Sequence, residues 1–488
     1  MSSEKEPAMT DTSSPSATSD KPDAPAGAIT DFGIDTTSMS TGEAIKDYFA
    51  RMKDGQLGSI PAVLGVIVLA ILFSALSADF FTLRNIANLL AQGAGQTIIA
   101  MGIVFVLLLG EIDLSAGTAS GVCASLMALH YVHNGNLLGS MGTGVFITFI
   151  AVLVLAVALA VLQRIWAGAA ISLVGIVVIL VGSPVNAWVE ILIAICTGTA
   201  IGCITGFLVS KIGMPSFVVT LALFIVWQGV ILQFIGEGGT LPISTSDTLN
   251  AVANGNLSVA GSWILFVVAA GGYALLALGQ HFSRQRRGLV VQPTPIVLFK
   301  VAAVAVLSAI ATYLLTVNRS SNTLVVIEGV PYVVPIVLVL LVAGTYVLNR
   351  TRYGRHLYAV GGNKEAARRA GINVPKLRTS VFVICSSFAA IGAIVYSSKI
   401  GAVNPQAGGL NTLLFAVGAA VIGGTSLFGG KGRIIDAVIG GAVLAIVNNG
   451  LGLLQQKPAV VNIVTGLVLM LAATVDALSR RRAEASAR

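Results

Sequence analysis

From Ile60 onward, apolar runs follow one another almost without a polar spacer. Fourteen can be delimited, at 60–77, 86–109, 114–130, 143–163, 165–182, 187–209, 216–235, 262–279, 296–316, 332–348, 380–398, 411–427, 434–452 and 459–476. A helix needs about 20 apolar residues to cross the hydrocarbon of a bilayer, within a range of roughly 17–25. Most runs meet that length, and only 10% of the chain is charged, against roughly 25% in soluble domains. The chain is therefore expected to be an all-α, polytopic transmembrane helix bundle. The 114–130 and 411–427 runs are short and carry glycine. They read either as full spans or as half-helices lining a cavity, where broken backbone is tolerated. The number of full spans accordingly lies between ten and fourteen.

Charge supplies the orientation. Residues 1–50 hold nine acidic and three basic side chains, so of the formal total of +8 they take −6 and leave +14 for residues 51–488. With the N-terminus inside and the runs alternating, most basic groups fall on the inner side. These are Arg51, Lys53, Arg164, Lys211, Arg284, Arg286, Arg287, Lys300, Lys431, Arg433, the Arg480–Arg482 stop and the basic groups of the 349–379 loop. Only Arg84, Arg319, Lys399 and Lys457 fall outside. That asymmetry obeys the positive-inside rule, and both termini are expected in the cytoplasm. Residues 1–57, rich in Ser, Thr, Pro and Asp, read as a disordered acidic cytoplasmic tail and not as a secretory signal. Residues 58–480 form the membrane domain, and 481–488 a second cytoplasmic tail.

The four cysteines and four histidines are scattered, without metal-ligand spacing or a disulfide framework. No metal site or cofactor is expected on this chain. Glycine spacing, as in Gly198, Gly202 and Gly206, places small residues on one helix face and reads as close helix packing.

Three stretches stand apart. The first is Gly110-Glu111-Ile112-Asp113-Leu114-Ser115-Ala116-Gly117, which sets two acids between apolar runs. An acidic group at the bilayer centre costs roughly 2.5–3.5 kcal/mol on insertion scales, so Glu111, Asp113 and Ser115 either line a translocation path or cap the helix that follows. The second is the glycine-rich Gly423–Gly432. It is not a phosphate loop, because Thr425 stands where the first Gly should be and Gly432 where Ser or Thr is required. It reads as a re-entrant turn with Lys431 and Arg433 at the cytoplasmic surface. The third is the 349–379 loop, with eight Lys or Arg against one acid, Glu365.

Within that loop, Asn363–Gly371 reads as one short helix. Asn363 is a good N-cap. Glu365 in the first turn and Arg368 and Arg369 near the last complement the helix dipole. Gly371 supplies the left-handed residue after the helix, and Pro375 stops it. So short a helix does not persist alone in water. The small face of Ala366, Ala367 and Ala370 favours docking into a groove over a loop merely solvated near anionic lipid.

Taken together, Gly110–Gly117, Gly213–Leu221, Tyr353–Asn363, Glu365–Arg368 with Gly371 and Ile372, and Gly423–Gly432 resemble the permease subunits of bacterial ABC sugar importers of the ribose/xylose/arabinose/galactose group. The extra apolar segments near 165–182 and 296–316, and the arginines at 284–287, look most like the xylose-type branch. Glu111 stands where the family motif usually has glycine. The resemblance implies a permease without a catalytic site of its own, working as a homodimer in the inner membrane. Two ATP-hydrolysing subunits, carrying the ATP and Mg, lie below it and an extracytoplasmic sugar-binding protein above. It also implies that Asn363, Glu365, Ala366, Ala367, Arg368 and Gly371 couple the permease to the ATPase. The expected activity is import of a monosaccharide, a pentose such as xylose, by alternating access. The competing class is an ion-coupled secondary transporter or a channel. The scarcity of intramembrane acids weighs against proton coupling but leaves sodium coupling open.

Overall fold

The computed structural model describes residues 59–486 apart from 290 and 321–323, together with the isolated positions 42, 43 and 46. The expected acidic tail, 1–57, lies outside the described residues except at those three positions. A helix stands on each of the fourteen apolar runs. In chain order come α1 (Ile60–Leu76), α2 (Leu83–Leu108), α3 (Ala116–Val132), the short α4 (Leu137–Met141), α5 (Thr143–Leu162), α6 (Trp166–Val181) and α7 (Ala187–Phe207). A π-helical turn, Leu208–Ile212, extends α7, and α8 (Ser216–Ile235) follows. After the two-residue strand β1 (Leu241–Pro242) come α9 (Asp247–Asn254), α10 (Val259–Arg286), α11 (Thr294–Thr316) and α12 (Val333–Arg350). Two short helices, α13 (Arg352–Gly362) and α14 (Lys364–Arg369), lead into α15 (Val374–Ile400). Strand β2 (Ala402–Val403), α16 (Leu410–Ile422), α17 (Ile434–Leu453) and α18 (Pro458–Ser486) complete the order.

Among the described residues, nine helices are long and apolar enough to cross a membrane: α2, α5, α7 with its π turn, α8, α10, α11, α12, α15 and α17. Helices α1, α6, α16 and the first part of α18 are apolar but shorter. The remaining run forms α3, whose residues Ala116–His130 are all buried. The bundle is inverted relative to a soluble protein. Leu275 and Phe299 are 77% and 74% exposed, while Thr118, Ser125, Thr205 and Ser386 are fully buried. With no water in hydrocarbon, polar side chains turn inward and apolar ones face lipid.

Helix α15 runs through the centre, against α2 on one side and α3 and α7 on the other. Small residues allow this approach. A methyl at Gly202 would meet the Phe382 carbonyl at 2.7 Å, and one at Gly206 the Thr379 Cα at 2.8 Å. Gly198, Gly202 and Gly206 thus all face α15, which is the packing role their spacing predicts. Polar pairs add specific contacts. The Asn85 and Asn449 amides donate to each other at 2.8 and 2.9 Å, joining α2 to α17, and Asn449 also donates to Gln92 at 3.3 Å. At the π turn, Ser210 meets Thr379 at 2.6 Å and donates to Gln163 at 3.2 Å. Helices α10 and α11 pack mainly on each other and are scarcely buried. At the end away from the 349–379 loop, β1 pairs antiparallel with β2, Leu241 opposite Val403. There, too, α9 is tied to α15 through Ser398, whose hydroxyl accepts from the Ala253 amide at 2.9 Å.

Candidate functional site

The short helix expected over Asn363–Gly371 is present as α14, Lys364–Arg369, with Asn363 as its N-cap and Ala370 and Gly371 beyond its end. The Asn363 side chain accepts from the Ala366 amide at 2.9 Å. Gly371 has φ +83°, a conformation costing roughly 1–2 kcal/mol for a residue with a Cβ. Its amide donates to the Arg368 carbonyl at 3.0 Å, and the Ile372 amide to the Ala367 carbonyl at 3.1 Å. These two bonds close the helix as a Schellman motif. Glu365 and Arg368 pair at 2.9 Å while both stay exposed, so the pair adds little stability. The alanine face divides. Ala367 is 5% exposed and joins the main core, whereas Ala366 and Ala370 stay on the surface with Lys364, Glu365, Arg368 and Arg369.

Upstream, α13 is a helix that reading the loop for one short helix did not reveal. The Thr351 hydroxyl caps it by accepting from the Gly354 amide at 3.2 Å. Gly354, Leu357 and Val360 form its buried stripe, while Arg352, Arg355 and His356 face outward. The cap and the three-residue spacing are the signal that could have found it. Two tyrosines anchor it. Tyr353 meets Ser380 of α15 at 2.9 Å, and Tyr358 donates to the Gly432 carbonyl at 2.8 Å. Burial holds both phenols above their ordinary pKa, and at Tyr358 the Asp436 carboxylate adds to the rise.

The five sequence motifs meet at this end of the bundle, the loop end. The Gly430 amide donates to the Leu108 carbonyl at 2.9 Å. A methyl at Gly361 would collide with that same carbonyl and lie 2.7 Å from the Gly430 nitrogen. A methyl at Gly429 would come within 2.8 Å of the Gly110 nitrogen. So the α2–α3 junction, the end of α13 and the α16–α17 turn touch backbone to backbone. The turn itself is irregular and holds Thr425 and Ser426 fully buried.

Glu111, Asp113 and Ser115 occupy the non-helical junction between α2 and α3, at the loop end. The Asp113 carboxylate accepts from the Ser115 amide at 3.0 Å and its hydroxyl at 2.7 Å. Both residues are buried. Glu111 pairs with Arg378 of α15 at 2.6 Å, with side chains only 13% and 14% exposed. The junction is also fastened to α8: the Ile112 amide donates to the Ser216 hydroxyl and Thr220 to the Ile112 carbonyl, both at 3.3 Å. The eight basic groups of the loop therefore divide. Arg378 turns inward, and Arg350, Arg352, Arg355, Lys364, Arg368, Arg369 and Lys376 stay exposed.

A buried pair elsewhere escaped the motif reading. His130, near the end of α3, meets Glu190, in the first turn of α7, at 2.8 Å with both side chains essentially inaccessible. They are 60 residues apart, so no local pattern links them. A cavity of about 310 Å³ lies among α3, α5, α7 and α8, lined by Val122, Phe149, Ile201, Trp227 and Phe234. Its apolar wall offers little to a polyhydroxylated ligand. Among the described residues no group of three His, Cys, Asp or Glu is arranged for a metal.

A multi-pass helical bundle with a short capped helix on a basic end fits a membrane permease component. The family described as branched-chain amino acid transport system / permease component matches residues 164–473, and the chain belongs to it. Xylose transport system permease protein XylH of Haemophilus influenzae is 30% identical over 88% of this chain and 99% of its own length. The XylH protein of Escherichia coli K12 is 30% identical, covering 89% of this chain and 95% of its own. Ribose import permease protein RbsC of the same strain is 29% identical, covering 85% and 92%. The resemblance to sugar-importer permeases carried by the five motifs thus extends over most of this multi-pass membrane chain. No solved structure matches the chain.

Proposed function

We propose that this protein is the membrane-spanning permease of an ABC importer for a pentose such as xylose, working as a homodimer by alternating access. The loop end faces the cytoplasm and docks a separate ATP-hydrolysing subunit, which supplies the ATP and Mg. A sugar-binding protein docks at the opposite end. The observation that carries the reading is α14. Its cap, its Schellman closure and its buried Ala367 seat a six-residue helix firmly on the core, while Ala366, Ala370 and four charged residues face outward. That is a rigid knob suited to a groove on a partner. The similarity to xylose and ribose permeases supports a sugar as cargo, and the xylose-type relatives favour a pentose. Asn363, Glu365, Ala366, Ala367, Arg368 and Gly371 then form or brace the coupling element. Glu111, Asp113 and Ser115 border the inner mouth of the translocation path.

Ala366→Glu tests the docking role, because the residue is exposed and the change leaves the core untouched. In proteoliposomes with the ATPase and binding protein, radiolabelled xylose uptake should fall about tenfold or more, a factor typical of coupling between sites. Membrane insertion and melting in detergent should be unchanged. Full uptake with normal ATPase stimulation would remove the docking assignment.

A further inference from the structure

We infer that the Glu111–Arg378 ion pair is the joint through which a push on α14 enters the membrane bundle, making both side chains positioning residues for transport. The inference rests on the docking role proposed for α14. Only four residues, 370–373, closed by the Schellman bonds and then by the Asn373 side chain accepting from the Lys376 amide at 3.0 Å, separate α14 from the start of α15. Arg378 is in the second turn of that helix. Its guanidinium reaches Glu111 at 2.6 Å with little solvent around either group, and a charge-assisted bond of this kind is strong and directional. Glu111 does not sit on a helix. It belongs to the α2–α3 junction, whose residues 111–113 lie outside regular helix. That junction leads directly into α3, the most enclosed helix, and is tied to α8 through Ser216 and Thr220. A shift of the α15 start is therefore delivered to the start of α3 and the foot of α8 together.

The test uses the full permease with ATPase and binding protein in proteoliposomes, reading xylose taken up per ATP hydrolysed. Glu111→Gln and Arg378→Gln should each lower that ratio about tenfold, within the usual range of coupling between sites, while ATP hydrolysis continues. The exchange Glu111→Arg with Arg378→Glu should recover a large part of it, which a merely structural role would not predict. A single variant leaves a charge buried without its partner and invites misfolding, so the double neutral Glu111→Gln with Arg378→Gln is made alongside and checked by melting in detergent. A normally melting double variant with an unchanged ratio overturns the inference, as does an exchange no better than the single variants. Ala366→Glu serves as reference. If it uncouples and the Glu111 and Arg378 variants do not, only the joint fails. If it too is without effect, the docking role itself falls.

Discussion

Gly361 and Gly271 lie in helices of the same chain, yet a methyl group meets opposite surroundings at the two positions. At Gly361 it would strike the Leu108 carbonyl, whereas at Gly271 nothing stands within 4 Å. Overpacking of this kind costs about 1–3 kcal/mol, and Gly→Ala on an open helix face gains roughly 0.5–1 kcal/mol. Gly361→Ala is expected to melt several degrees lower in detergent than the parent, and Gly271→Ala at or slightly above it. Equal melting of the two would contradict the close contact at the loop end. The same residue-level distinction separates Ala366 from Ala367. Composition and spacing place them on one small face, but only packing reveals that Ala367 enters the core and Ala366 does not. A sequence shows that a residue is small. It does not show which side of a six-residue helix the rest of the molecule has taken.

At the scale of elements, the apolar runs were legible because lipid imposes both length and composition on a spanning helix. Each run became a helix, and the cap and stop of α14 followed from Asn363 and Gly371, whose effects are local, whereas Pro375, expected to stop it, stands in the first turn of α15, where a missing amide hydrogen costs nothing. Helix α13 was less visible because its buried stripe is only Gly354, Leu357 and Val360 among exposed basic residues. The ion pair of Glu111 was not legible, since Arg378 lies 267 positions away and only the passage of α15 beside the α2–α3 junction brings it close. The amide clasp of α2 and α17 makes a comparable long-range link. Asn85→Leu or Asn449→Leu alone leaves a buried amide without its partner, at a cost of about 1–3 kcal/mol. The double variant replaces both, so its loss should be smaller than the two single losses added together, measured by melting in detergent. Strict additivity would show that the two amides do not act on each other.

For the whole molecule, the side of the membrane that holds the loop end is the central topological expectation. The four cysteines are all buried, so the natural chain should react little with a membrane-impermeant maleimide. Lys364→Cys should label only in inverted vesicles or opened cells, and Thr248→Cys, exposed on α9 at the opposite end, only from outside. The reverse pattern would place the basic loop on the wrong side for an ATPase. The barely buried α10–α11 pair and the Arg284, Arg286 and Arg287 cluster follow the same charge rule, which reads sidedness from composition but says nothing of where in the bundle a segment packs.

The backbone seam where Gly110, Gly361, Gly429 and Gly430 meet has a consequence for how such a permease can change. Its inner surface has no side chain left to trim and no room for one to be added, so variation there is closed. The outer surface of α13 and α14 carries Arg352, Arg355, Lys364, Glu365, Arg368 and Arg369, all exposed. On the docking role proposed for α14, a different ATPase would be accommodated by redrawing charges on this exposed face while the glycine seam beneath it stays as it is.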